Sequence, residues 1–472
     1  MIDAHIAGVG MTRFGKYPDL RIRELAAHAV ELALGDAGLQ RSVIEQAWFA
    51  NAGWGANGGQ DCIRGEVALR EAGLAGLPIV NVENACAGGS TALHGAWLAV
   101  ASGTHDVVLA VGAEKVFQRD RLRMFATFLG GLDVEALPDL MREGRRQAEQ
   151  YPVPPETGAA GPRAGNGGVG ATARDRRTAG SWARTLKDLV VIADHYQIDV
   201  GRIVRDALRS RGRGRGKRGA DHSPFMDVYA IAARRHMQTY GSTREQLAAI
   251  ASKNHAHGVA NPLAQIRRAC SPEAILADRP VAYPLTRGMC APVGDGAAAV
   301  LICSERFARR HQPERAVRIR ASVLASGRRH GDGEPGVAER AATAAYERAG
   351  VGPGELHLAE VHDATAFGEL HQAEALGLCA KGEGGVLALS GATRVGGRLP
   401  LNPSGGLECR GHPIAASGLA QIHELTMQLR GECNGRQVEG ARLALAQNGG
   451  GMLEGEEAAM GIHILEAPGR RA

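Results

Sequence analysis

One order of elements occurs twice along the chain, and that duplication limits the possible folds more than any other feature of the sequence. The run AVELALGDAGL, from Ala29 to Leu39, is echoed by AATAAYERAGV, from Ala341 to Val351. After each comes a strand, then a Gly-rich turn opening a helix of small residues, then an apolar strand. The turn is ENACAGGS in the first half and GHPIAASG in the second, and the closing strands are VVLAVGAE and RLALAQNG. Such a repeat implies two similar halves related by an approximate two-fold axis, with a site at the junction where equivalent loops meet.

The local pattern agrees. HIAGVG, from His5 to Gly10, reads as a buried strand, and Ile22, Leu25, Ala26, Ala29 and Ala33 recur at helical spacing up to a stop near Gly38. QAWFAN and PIVNVEN read as further strands, Gly88 to Gly103 as a closely packed helix, and Asp106-VVLAVGAEKV as another strand. Strands alternating with helices predict a mostly parallel, covered sheet in an α/β protein. Aromatic residues are only 4% of the chain while glycines number 65. The interior is therefore built from Ala, Val, Leu and Gly, with helices lying close on sheets.

From Phe117 to Tyr240 the rhythm breaks. ETGAAGPRAGNGGVGATARDRR is polar and Gly-rich, as a long or mobile loop would be. A basic run follows, from Arg202 to Lys217 and Arg218. Order returns at SPFMDVYAIAARRHMQTYG, and Ser242 with Glu245 form a capping-box pattern for a helix through KNHAHG. Gly294-DGAAAVLICSE closes the first half as a strand. The predicted organisation is an N-terminal half from residues 1–116 and 242–305, an inserted loop domain at 117–241, and a C-terminal half at 306–472.

Several classes are excluded or disfavoured. No stretch approaches about 18 uninterrupted apolar residues, so no membrane span is read. Neither terminus carries a recognisable address, and the eight cysteines include no CxxC pair. That usage suits reduced thiols in the cytoplasm. Net charge is +5, much of it in the one basic run; the run lacks interleaved aromatics and reads as a solvated loop, not a nucleic-acid site. Gly165-NGGV-Gly170 matches GxGxxG without a preceding strand, so no dinucleotide site is read. His255 and His257 lie two apart on a helix, do not share a face, and have no completing ligands, so no metal site is read there.

Four segments carry candidate chemistry. Cys86 sits where a small-residue helix begins, where unpaired N–H groups stabilise a thiolate; the alternative is a buried structural thiol. His412, on the turn of NPSGGLECRGHPIAASG, is suited to proton transfer or to holding the turn. His362, in AEVHDATAFGEL, ends a strand, where it can donate to a developing oxyanion or cap the next helix. In Asn448-Gly449-Gly450-Gly451, backbone N–H groups can hold an oxyanion, unless the run simply ends a strand.

Together the segments GVGMTRFG, ENACAGGS, GDGAAAVLI, EVHDATAF, NPSGGLECRGHP and QNGGG resemble the thiolase superfamily, and within it the sterol-carrier-protein-x-like branch. The resemblance spans nearly the whole chain, except that the region from about Leu132 to Asp221 is longer. It implies a thiolase fold: two βαβ-type halves in a five-layer αβαβα arrangement with an inserted loop domain. It implies that Cys86 takes an acyl group from a coenzyme A thioester, that His412 activates the thiol, and that His362 donates to the thioester oxygen. The N–H groups of Cys86 and of Gly450 or Gly451 would hold the acyl-enzyme oxyanion. Coenzyme A would be substrate or product, with no bound cofactor, and the chain would be a homodimer.

The sequence also departs from that pattern. Many such enzymes carry a second cysteine on the last glycine turn, which here reads QNGGG, or after His-Asp, where Ala364 stands. Cys290 and Cys409 are the candidate substitutes for this acid/base. The set of Cys86, His362 and His412 is closer to the Cys-His-His sets of ketoacyl synthases. Three functions are consistent with this. The first is thiolytic cleavage of a 3-oxoacyl-CoA or the reverse Claisen condensation, by a covalent route. The second is retro-aldol cleavage of a branched or steroid-like acyl-CoA beside a small zinc-ribbon/OB-fold protein. The third is non-catalytic binding of acyl-CoA or lipid.

Overall fold

In the computed structural model the apolar runs assemble into one mixed sheet with helices on its faces. Residues 2–119, 124, 127–154, 223–312, 314–329, 331 and 333–469 are described. The Gly-rich stretch, the GxGxxG run and the basic run lie outside the described residues. The strands are β1 (Ala4–Met11), β2 (Gln46–Ala50), β3 (Ile79–Val82), β4 (Val107–Lys115), β5 (Pro280–Ala282), β6 (Leu285–Thr286), β7 (Asp295–Ser304), β8 (Val317–Ser326), β9 (Leu358–Glu360), β10 (Leu443–Gly450) and β11 (Ala459–Glu466). The helices that matter here are α1 (Ile22–Ala37), α2 (Arg64–Glu71), α3 (Gly88–Ala101), α4 (Pro224–Tyr240), α5 (Arg244–Ala260), α6 (Val337–Ala349), α7 (Ala366–Ala375), α8 (Gly406–Arg410) and α9 (Ser417–Arg430).

Strand order is β3-β2-β4-β7-β1-β8-β11-β10-β9, and the two halves correspond pair by pair. β2 runs parallel to β4 as β9 does to β10. β7 lies antiparallel between β4 and β1, as β11 does between β10 and β8. β3 has its counterpart in one parallel bridge between Ala359 and Leu401. The halves meet where β1 pairs β8 through His5–Arg318 and Ile6–Val317.

The expectation of a mostly parallel sheet is corrected: five of the eight neighbouring pairs are antiparallel. In each half the last strand returns between the first and the fourth. No helical crossover from its neighbour is then needed, and the rule linking alternation to parallel pairing does not apply.

Helix positions follow from where small residues lie. α3 and α9 are buried on nearly every face, as apolar and small residues all round a helix require. α3 packs on β2, β4 and β7 and also reaches β8 and β11; α9 packs on β10 and also on β1 and β7. These two helices form the middle layer. α1 and α2 cover the outer face of the first half, and α6 covers that of the second. The result is the five-layer αβαβα arrangement. α1 lies so close to β1 that a Cβ on Gly10 would meet the Ala33 nitrogen at 2.4 Å. α4, α5 and α7 share a separate apolar cluster of Ala230, Leu247, Ile250, Phe367 and Leu370.

One local expectation shifts. The capping box of α5 is formed by Thr243 and Gln246, one residue beyond the pair read from sequence, because Ser242 instead meets His236 Nδ1 at 2.9 Å. On α5, His255 is held by the carbonyls of Arg268 and Gly288, and His257 bonds Asn402 O and Val395 N–H, so both rings fix neighbouring loops. No helix among the described residues is long and apolar enough to cross a membrane.

Candidate active site

The site forms where the two middle helices begin. Between β3 and α3 the chain makes a tight turn in which Ala85 adopts a left-handed conformation, φ 47°. A residue with a Cβ is strained there and persists only where neighbours hold it. The Glu83 carboxylate accepts the Ala85 N–H at 2.5 Å, Asn84 Nδ2 donates to Thr91 Oγ1 at 2.9 Å, and the Ala87 N–H bonds Asn84 O at 2.9 Å. This fixes Cys86, half-buried, just before α3. β10 presses on the same turn: a Cβ on Gly450 would lie 2.2 Å from Asn84 O and 2.3 Å from Ala87 N.

His412 stands on the equivalent turn before α9. Its Nε2 lies 3.2 Å from Cys86 Sγ, and its Nδ1 lies 2.7 Å from Ser417 Oγ. The Ser417 hydroxyl donates its one proton to Pro413 O at 3.0 Å, so it must accept from Nδ1–H. The Nε2 lone pair is thereby left facing the thiol, as proton acceptance requires.

His362 lies just beyond β9, its ring edge-on to His412 at 5.2 Å between centroids and 88° between planes. The Asn448 amide sets its tautomer. Ser90 Oγ donates to Asn448 Oδ1 at 3.2 Å, which turns the Nδ2 of the amide toward His362 Nδ1 at 2.9 Å. His362 Nδ1 therefore accepts, and its Nε2 carries the proton. One imidazole thus offers an acceptor and the other a donor.

A buried ion pair lies behind both rings. Arg410 Nη1 meets Glu360 Oε2 at 2.8 Å with both side chains fully buried. Each stands two residues before a site histidine, so the pair ties the two segments together. Burial, then the neighbouring charges of His362 and Arg410, hold His412 well below the usual imidazole range. Burial first and Arg410 second bring His362 down to about 4. Burial, with Glu114 and Glu83, pushes Cys86 up to about 12, while the N–H groups of Cys86 and Gly451 turned toward the sulfur oppose this. The resting site is therefore a neutral thiol beside neutral imidazoles.

Sequence reasoning missed three supporting groups. Ser417 and the Asn448 amide set the two tautomers. Glu114, at the end of β4, accepts the N–H groups of Ala52 and Gly53, each at 3.0 Å, and also that of Ala415, just after His412. Burial raises its carboxyl to about 7. No local spacing signals these roles, because each depends on what the fold brings beside the side chain.

Of the residues singled out from sequence, Cys86, His362 and His412 come together, their ligating atoms within 4.8 Å of one another. A thiol and two imidazoles are a donor set that zinc accepts. Yet the Asn448 N–H occupies one nitrogen of His362 and leaves a proton on the other, an arrangement suited to proton work. Gly451 turns its N–H to the sulfur, whereas Gly450 lies in the ladder opposite Ala459. Cys290 and Cys409 are not part of this cluster. Cys290 Sγ bonds Thr286 O at 3.3 Å, and Cys409 is buried on α8 with its Cβ facing Gly258 of α5. Burial raises both thiols, reinforced by Glu408.

Known proteins share this chain's sequence pattern and fold. The family models "Thiolase, N-terminal domain" and "Thiolase C-terminal domain-like" match residues 4–136 and 330–463. The chain is 32% identical over 456 residues to an acetyl-CoA acetyltransferase of Methanothermobacter thermautotrophicus, covering 96% of this chain and 97% of that one. It is 33% identical to rat sterol carrier protein 2 across 94% of this chain and 69% of that protein. To the benzoylsuccinyl-CoA thiolase subunit BbsB of Thauera aromatica it is 30% identical, over 95% of this chain and 94% of that one. Among solved structures, the Ltp2-ChsH2(DUF35) aldolase superposes with a TM-score of 0.67, covering 99% of this chain and 98% of that one at 22% identity, a likeness of fold alone. With two matched domains, full-length relatives and a five-layer duplicated fold, the chain belongs to the thiolase family, in its sterol-carrier-protein-x-like branch, and is a thiolase-like acyltransferase.

Proposed function

We propose that this enzyme cleaves a 3-oxoacyl-CoA with free coenzyme A, or runs the reverse Claisen condensation, through an acyl group carried on Cys86. The observation that carries this reading is the 3.2 Å approach of His412 Nε2 to the thiol, with the Nδ1 proton committed to Ser417. His412 takes the thiol proton as sulfur attacks the 3-oxo carbon. The N–H groups of Cys86 and Gly451 receive the oxyanion formed there. His362 Nε2–H donates to the thioester oxygen as charge builds on it. A neutral resting pair is compatible with this, because thiolate need form only as the proton moves.

The test is trapping. Incubation with an acyl-CoA and mass analysis is expected to place an acyl adduct on Cys86, absent in Cys86→Ala; no adduct on the unaltered protein would end the covalent reading. A retro-aldol lyase working with a zinc-ribbon/OB-fold partner is the second reading, favoured by the lone thiol in the site cluster. Products separate the two: a second thioester supports thiolysis, an aldehyde or ketone the lyase.

We also read the chain as a cytoplasmic homodimer. All eight cysteines are free, in keeping with a reducing compartment. β3 forms an edge of the sheet and is only half-buried, so its outer backbone groups are open to a second copy.

A further inference from the structure

Thiolysis leaves one proton unassigned. When the bond between C2 and C3 breaks, C2 becomes an enolate carbon and must receive a proton. His412 already holds the thiol proton, and the His362 N–H faces the thioester oxygen. Cys290 Sγ is engaged by Thr286 O at 3.3 Å, and Cys409 is buried against Gly258 of α5.

α4 brings another acid. Its Phe225 ring lies 3.3 Å from the Cβ position of Gly131, whose carbonyl accepts the Met452 N–H at 2.8 Å and approaches the Cβ position of Gly451 at 3.1 Å. Phe225 thus sits on the strap that holds the Gly451 turn. Tyr229 is four residues on, one turn along the same helix face. Tyr229 packs against the apolar cluster that contains Phe367 and Leu370. α4 therefore runs from the Gly451 strap, at Phe225, to α7, which it contacts, and Tyr229 lies on the turn between. Among the described residues nothing hydrogen-bonds its hydroxyl.

From this placement, and resting on the function proposed above, we infer that Tyr229 is the catalytic acid/base that serves the substrate α-carbon. In the first half-reaction the Cys86 proton passes to His412, sulfur bonds to C3, the C2–C3 bond breaks with its electron pair going to C2, and the Tyr229 hydroxyl protonates C2. Acetyl-CoA leaves and Tyr229 is a phenolate. In the second, the phenolate takes the thiol proton of incoming coenzyme A, whose sulfur displaces Cys86 from the acyl group, and Cys86 recovers its proton from His412. Atoms and charge balance over the cycle. Burial, then charges at Glu457, Cys86 and Asp363, push the phenol above its ordinary value. Tyr229 therefore rests protonated.

The experiment compares Tyr229→Phe with the unaltered protein in two assays. The first follows exchange of the α-protons of acetyl-CoA and propionyl-CoA in D2O; the second follows acylation of Cys86 by the same thioesters. Exchange is expected to fall by about 100-fold or more, the usual contribution of a positioned acid/base, with acylation changed less than about fivefold. Exchange within about threefold of the unaltered protein overturns the proposal, as does an unaltered protein that exchanges no α-protons. An equal loss in both assays also overturns it, since that marks a structural role. Failure of the unaltered protein to acylate overturns the Cys86 reading instead. Exchange needs no acyl-enzyme and still decides Tyr229.

Discussion

At the scale of single residues, the site works through protons whose positions are dictated by neighbours. His412 must be neutral to accept from the thiol. Its value is held well below the ordinary one, so the acceptor form persists as pH falls past 6.5 and is lost only in more acid solution. Cys86 is pushed to about 12, so no thiolate limb arises near neutrality. His412 and Cys86 are therefore expected to add no limb to kcat/KM between about pH 8 and about pH 5, which leaves the Glu114 carboxyl, raised to about 7, to titrate there; in a full pH–rate profile, an inflection near 6.5 that persists in Glu114→Gln counts against a neutral His412. Arg410 makes a second case. Arg410→Met leaves Glu360 buried without its partner, a change worth about 3–5 kcal/mol, read from denaturant midpoints. Glu360 already sits near 7 through burial, with Arg410 holding it down. Without the guanidinium its folded value rises further above the unfolded one, and stability is then lost as pH rises through that window. The variant should be weaker at pH 8 than at pH 6, and the opposite order would refute this account.

At the scale of elements, close approach decides more than propensity. Gly450→Ala places a Cβ 2.2 Å from Asn84 O and 2.3 Å from Ala87 N, both backbone atoms of the Cys86 turn. The turn must move, and a displacement of about 1 Å at a reacting group can cost about 100-fold in rate. Activity is expected to fall by that order while far-UV circular dichroism is unchanged. Gly35→Ala is the control. Gly35 is exposed in α1 with nothing near its Cβ position, so helix propensity alone acts and should add about 1 kcal/mol of stability, seen as a higher Tm with unaltered kcat. The sequence showed where most elements begin because stops such as Gly38 and small-residue runs such as Gly88 to Gly103 act locally. It misplaced the cap of α5 by one residue, since only the tertiary bond from Ser242 to His236 frees Thr243 for that role. It also overstated parallel pairing, because where β7 and β11 insert is a property of the whole sheet.

At the scale of the whole molecule, the duplicated order of elements was legible because it recurs as pattern, and Cys86, His362 and His412 because each stands at a strand or helix end beside small residues. Ser417, Glu114, the Asn448 amide and Tyr229 were not, because their partners come from distant segments and only the fold names them. The same long-range dependence predicts how the protein unfolds. α3 belongs to the first half in sequence yet also packs on β8 and β11, and α9 belongs to the second yet also packs on β1 and β7. Separating the halves would expose a buried face of both helices, so neither half is expected to hold its structure alone. The four tryptophans, at positions 48, 54, 97 and 182, all precede residue 306. Tryptophan fluorescence therefore reports only the first part of the chain, while far-UV circular dichroism reports all of it. On denaturation the two curves are expected to share one midpoint. A circular dichroism transition remaining after the fluorescence change is complete would mean that the second half stands without α3, and that the middle layer does not bind the halves into one unit.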